Sequence, residues 1–79
     1  KPRASILIAI NDLGEIWINK RKIDEGQVRA NIERLHAENP QGTVVIQADE
    51  EARTKTLVAV MDAAREAGVV DVSLATEKK

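Results

Sequence analysis

The sequence contains no cysteine, no phenylalanine and no tyrosine, and its one aromatic residue is Trp17. Without cysteine, disulfide bridges and thiolate chemistry are both excluded. With one aromatic side chain, the core must come from Ile, Val, Leu and Ala, a set that suits strands and small helices. Charge of one sign is not in excess: 12 Lys and Arg face 13 Asp and Glu, for a net charge of −1. The signs are interspersed and no basic stripe runs along either predicted helix, so the electrostatic footprint of a nucleic-acid binder is missing. No apolar run approaches the ~18–20 residues that cross a bilayer.

Chemistry-bearing groups are equally sparse. The one histidine, His36, falls near the end of a predicted helix, where a cation complements the helix dipole. Transition-metal sites need several converging ligands, and no second His or Cys is present. The four glycines, at 14, 26, 42 and 68, are scattered and form no phosphate-cradling loop. There is no G-x-S-x-G elbow. Ser5 and Ser73 have no base nearby in sequence. The expectation is a protein that is not an enzyme and holds no cofactor or metal, because no nucleophile-and-base pair is assembled.

Seventy-nine residues with 43% hydrophobic content make one domain the expectation. Lys1-Pro2-Arg3 reads as a linker entering that domain, so residues 1–4 are assigned to a linker, 5–76 to the domain and 77–79 to a frayed tail. Ile6, Ile8 and Ile10 share one face of a first strand over residues 5–10. Leu7 and Ala9 are apolar on the other, so cover on both sides is expected. Residues 11–14 form a turn, with Gly14 taking positive φ. Ile16 and Ile18 point inward from a second strand over 15–19, and Trp17 points the other way. The short loop favours an antiparallel hairpin.

Asp24 with Gln27 three residues on matches a capping box. Ile23 and Val28 match a hydrophobic staple, and Val28, Ile32 and Leu35 continue a buried stripe. Pro40 ends this helix. Thr43 to Asp49 alternates as a third strand. A charged loop follows, and Glu51 or Thr54 caps the second helix. Leu57, Val60, Met61 and Ala64 are spaced to share its buried face. Gly68 stops it. Val70, Val72 and Leu74 then alternate with Asp71, Ser73 and Ala75 in a last strand over 70–76. The predicted class is α+β: one mixed sheet in the order β-β-α-β-α-β, with the two helices packed on one face.

Several residues are candidates for contact with a partner. Asp49 opens the acidic run with Glu50 and Glu51. The ligand pattern of a calcium loop is missing there, and acids before a helix stabilise its positive end, which leaves a partner contact as the second reading for Asp49. Asp62 is placed to pair with Arg65. Trp17, on a sheet face without helices, is either an exposed interface anchor or a ring covered by the turn or the N-terminal segment. Leu74 lies on the inward face of the last strand, where a charged replacement would be buried without a partner and abolish function.

The wording of the chain adds a resemblance. Ala48-Asp49, seven residues, Leu57-x-x-Val60-Met61-Asp62, then Ala67-Gly68 and Val72-x-Leu74 resemble the periplasmic domain of the ExbD/TolR family. Asp12-x-Gly14-x-Ile16-x-Ile18-Asn19 is similar to that family's D-G-x-I-x-V-N hairpin. The match runs from Ile6 to Thr76 without an evident gap, although Arg53 and Thr54 depart from the family pattern. The resemblance implies the periplasmic domain of a bacterial inner-membrane single-pass protein, one subunit of a proton-driven motor. Its membrane helix and proton-handling Asp lie outside this sequence. It implies a homodimer, an ExbB-type membrane subunit and, on the ExbD branch, a TonB-type partner. The TolR branch would bind peptidoglycan instead. The A-D and V-x-L-A-T words favour the ExbD branch. Contact residues expected on this basis are Trp17, Asp49, Asp62, Ser73, Leu74 and Thr76.

Overall fold

The computed structural model describes residues 5–77. The expected linker at 1–4, and residues 78 and 79 of the expected tail, lie outside the described residues. Five strands form one sheet: β1 (Ser5–Ile10), β2 (Ile16–Ile18), β3 (Arg21–Ile23), β4 (Thr43–Asp49) and β5 (Val72–Glu77). Two helices, α1 (Val28–Glu38) and α2 (Thr54–Glu66), complete the α+β fold. The spatial order is β3-β2-β1-β4-β5. β1 pairs antiparallel with β2 and parallel with β4, β2 pairs antiparallel with β3, and β4 pairs parallel with β5. The sheet is therefore mixed, as the residue pattern predicts.

The period of two decides the faces. Ile6, Ile8 and Ile10 of β1 stand in register with Val44, Ile46 and Ala48 of β4, and all six are buried. Ile16 and Ile18 join them from β2, and Val28, Ile32, Val60 and Ala64 close the core from the helices. Leu7, Ala9, Val45 and Gln47, on the opposite face, are only half-buried. Cover on both sides of β1 is not found, because both helices lie on the isoleucine face.

The first turn is organised by Asn11. Its Oδ1 accepts from the backbone N–H of Leu13 (3.1 Å) and of Glu15 (2.8 Å), and its Nδ2 donates to Glu15 Oε1 at 2.7 Å. Gly14 takes φ +83, the left-handed conformation expected of it.

β3 was not predicted, since Arg-Lys-Ile carries too few apolar residues to read as a strand. Asn19 and Lys20, at φ 49 and 72, make the two-residue turn that folds it onto β2. The Asn19 side chain has a second task. Its Oδ1 accepts from the Leu7 N–H (3.1 Å) while its own N–H donates to the Leu7 carbonyl (2.8 Å), so it extends the β1–β2 ladder past the end of β2.

Several local expectations are corrected. Asp24 makes no side-chain cap. Its carbonyl accepts from the Gln27 N–H, and residues 25–27 form a 3-10 turn, so the capping box does not close. Neither Glu51 nor Thr54 caps α2: Arg53 precedes it without a side-chain bond. Met61 is 39% exposed and sits outside the core that Val60 and Ala64 enter. Val70 is 98% exposed, and the last strand starts at Val72 and includes Glu77. α1 does end before Pro40, and Gly68 does stop α2 at φ +94. His36 sits in the last turn of α1, its Nδ1 buried without a hydrogen-bond partner.

Candidate functional site

The two edges of the sheet differ, and the difference follows from their residues. β3 is three residues long, and its Arg21 and Lys22 are exposed. Short, charged edge strands resist pairing with another chain. β5 is six residues long and uncharged from Val72 to Thr76, with neither proline nor glycine. It has none of these protections.

The backbone at the β5 edge can be assigned group by group. The Val44 N–H donates to the Asp71 carbonyl at 3.0 Å, and the register pairs Val44 with Val72, Ile46 with Leu74 and Ala48 with Thr76. In a parallel ladder the residues that bond one neighbour alternate with those that face away. Ser73 and Ala75 therefore turn their backbone groups to β4. Val72, Leu74 and Thr76 turn theirs to the open edge, and their side chains lie on the helix side. Leu74 is 48% exposed, since β5 is outermost and has no strand beyond it. The expectation of a buried Leu74 is corrected accordingly.

Beside this edge, α2 carries a second stripe. Val58, Met61, Asp62 and Arg65 are spaced i, i+3, i+4, i+7 and share one face, turned away from the core. They form one wall of a mostly apolar groove of about 560 Å³, closed opposite by residues 68–70 and Val72. Asp62 Oδ1 accepts from Arg65 Nη2 at 3.0 Å, the pair expected from sequence. At the surface such a pair contributes little to stability.

The six candidate contact residues are thus divided. Asp62 lines the groove, and Leu74 and Thr76 lie on the helix side of β5, in register with Ile46 and Ala48. Trp17, 37% exposed, lies on the other sheet face, in register with Ala9 and Lys22. Ser73 also faces that side, in register with Val45. Asp49 ends β4, where its Oδ1 accepts from the Glu51 N–H (2.9 Å) and its carbonyl from the Ala52 N–H (2.8 Å), which gives it a turn-forming role. The groove residues Val58 and Met61 were missed as surface residues. Their spacing with Asp62 and Arg65 was visible in the sequence, but the stronger Leu57, Val60, Ala64 stripe claimed Met61 for the core.

Among the described residues, Glu15 has a perturbed carboxyl. Hydrogen bonds from Asn11 and Lys22, then the Lys22 charge, hold the Glu15 carboxyl below the usual glutamate range. Lys22 Nζ lies 3.0 Å from Glu15 Oε2. Among the described residues no three His, Cys, Asp or Glu side chains converge as a metal site, and no helix is long and apolar enough to cross a membrane. The arrangement offers an edge and a groove for binding.

Comparison with known proteins agrees with the hairpin and the helix-stop-strand wording. The chain is 46% identical over 76 residues to biopolymer transport protein exbD2 of Vibrio cholerae, a match covering 96% of this chain and 57% of that relative. It is 28% identical over 74 residues to a protein of Synechocystis carrying the ExbD name, covering 94% of this chain and 28% of that one. The chain thus corresponds to little more than half of the first relative's length and to a smaller share of the second's. The model of the family described as biopolymer transport protein ExbD/TolR matches residues 1–79, so the chain belongs to the ExbD/TolR family of biopolymer transport proteins.

Proposed function

We propose that this chain is the periplasmic coupling domain of a proton-motive-force-driven complex of the ExbB–ExbD–TonB type. In this reading it works as a homodimer, anchored by a membrane helix outside this sequence that meets an ExbB-type subunit. It carries force by binding an extended segment of a TonB-type partner and performs no chemistry of its own. The observation that carries the reading is the β5 edge. It is six residues long and uncharged through Thr76, with three residues whose amides and carbonyls face outward. An added strand gains main-chain hydrogen bonds there, and its alternate side chains can enter the neighbouring groove.

NMR titration of the chain with the periplasmic linker of the cognate TonB-type protein tests this. Shifts should concentrate at the amides of Val72, Leu74 and Thr76 and leave β3 unmoved. No shift at millimolar linker refutes the coupling role. Co-sedimentation with peptidoglycan sacculi, without any response to the linker, would assign the domain to the TolR branch instead.

A further inference from the structure

We infer that the turn between β2 and β3, through Lys20 and Arg21, rests on the anionic surface of a phospholipid bilayer and sets which end of the domain faces the membrane. The inference deepens the reading above, on which it rests: there the chain passes from its membrane anchor into β1 at Ser5.

The topology decides which groups lie at that end. β1, β4 and β5 run in one direction and begin there, at Ser5, Thr43 and Val72. β2 runs the other way, and the Asn19 N–H donates to the Leu7 carbonyl, so the β2–β3 turn returns beside the start of β1. Lys20 and Arg21 therefore project where the chain enters. Both are exposed, and among the described residues neither meets an acid at ion-pair distance. Lys22, Arg29, Arg34 and Arg65 each do. The acids near this end are mostly engaged, Glu38 by Arg34, Asp62 by Arg65 and Glu66 by Arg29. Asp71 lies at the opposite edge of the sheet, just before β5.

The other end of the domain is acidic. Of the 13 acids, two stand in the turn at 11–15, two at 24–27, three at 49–51, and Glu77 ends β5. Lys22, Arg53 and Lys55 answer them in part, and Lys78 and Lys79 follow Glu77 in sequence. A negatively charged surface repels that end and attracts the β2–β3 turn, so the field of the whole domain turns it one way up. The backbone gives a second sign. Lys20 holds φ 72, a conformation that glycine takes at lower cost. A strained side chain kept at an exposed turn points to use of its charge.

NMR line broadening and co-sedimentation of the 79-residue chain with vesicles test the inference. The vesicles are phosphatidylglycerol with phosphatidylethanolamine, and phosphatidylcholine alone is the neutral control. The anionic vesicles should broaden the amides of residues 19–21 before those of 11–15 and 49–51. Salt at ~1 M, where screening acts within about 3 Å, should release the chain. Arg21→Gln should weaken binding about fivefold, the effect of one base near an anionic surface. Lys20→Gly should weaken it as much while raising the melting temperature, which loss of folding does not do. Lys55→Gln, an equal loss of charge at the acidic end, should leave binding unchanged. No binding at millimolar anionic lipid overturns the inference, and so does equal binding to phosphatidylcholine. A Lys55→Gln effect as large as that of Lys20→Gly also overturns it, because net charge alone would then act. Inorganic phosphate should leave the amides of residues 19–21 unmoved; a shift there replaces the membrane surface with a free anion. The linker titration is read separately. Vesicle binding without linker binding refutes the coupling role and leaves this inference standing, and linker binding without vesicle binding does the reverse.

Discussion

Leu74 and Ile46 stand in direct register on the same face of the sheet, and truncating each to Ala should give very different results. Ile46 is fully buried between β1 and β5, whereas Leu74 is 48% exposed at the edge. Leu→Ala removes three carbons worth ~0.8 kcal/mol each when fully buried, and half-exposure reduces the total to about 1 kcal/mol. Ile46→Ala also leaves a cavity in a close-packed core and should cost about 2–5 kcal/mol. A chain of this length has about 4–12 kcal/mol in total, so Ile46→Ala consumes a large part of it. In melting temperature the Leu74 variant should fall by about 4–8 °C and the Ile46 variant by well over ~10 °C. Urea unfolding at low protein concentration, where self-association contributes nothing, measures both, and the slope should stay constant across the series. Leu74→Lys should also fold, because the lysine stem can cover the edge while its ammonium reaches water. If Leu74→Ala costs as much as Ile46→Ala, the helix side of β5 is closed, and the argument for an open edge fails.

Lys20 occupies a left-handed position (φ 72) in a turn that favours glycine second, so Lys20→Gly should stabilise the chain by about 0.5–1 kcal/mol in the same unfolding assay. Asn19→Ala should cost about 1–2 kcal/mol, because the Leu7 amide loses its acceptor, and hydrogen exchange at Leu7 should speed up. Glu15 has a lowered folded pKa, so its contribution is fully present above the unfolded glutamate value and disappears as pH falls through the folded value. NMR titration of the carboxyl should show a midpoint below that of an unfolded glutamate. Asn11→Ala and Lys22→Met should each raise that midpoint, and a midpoint already at the unfolded value would refute the assigned pairing.

The sequence by itself determined the elements that rest on local rules. Period-two aliphatic residues placed β1, β2 and β4 and chose their buried faces. Gly14 and Gly68 marked two left-handed positions, and Pro40 marked the end of α1. The hairpin and helix-stop-strand wording already resembled the family that the comparisons then showed. β3 was not legible, because it is held by pairing with β2 and by an Asn-Lys turn, and its own residues are mostly charged. Burial at the margin was not legible either. Leu74 and Met61 keep the correct period for a core face, but periodicity reports direction and says nothing of how many neighbours lie that way. Only the order β3-β2-β1-β4-β5 makes β5 outermost, exposes Leu74 and opens the groove beneath Met61. Alternation alone sends Trp17 and Ser73 to the face opposite Leu74. Alternation is written in the chain, whereas an edge exists only once strands from distant parts of the sequence have taken their places beside one another.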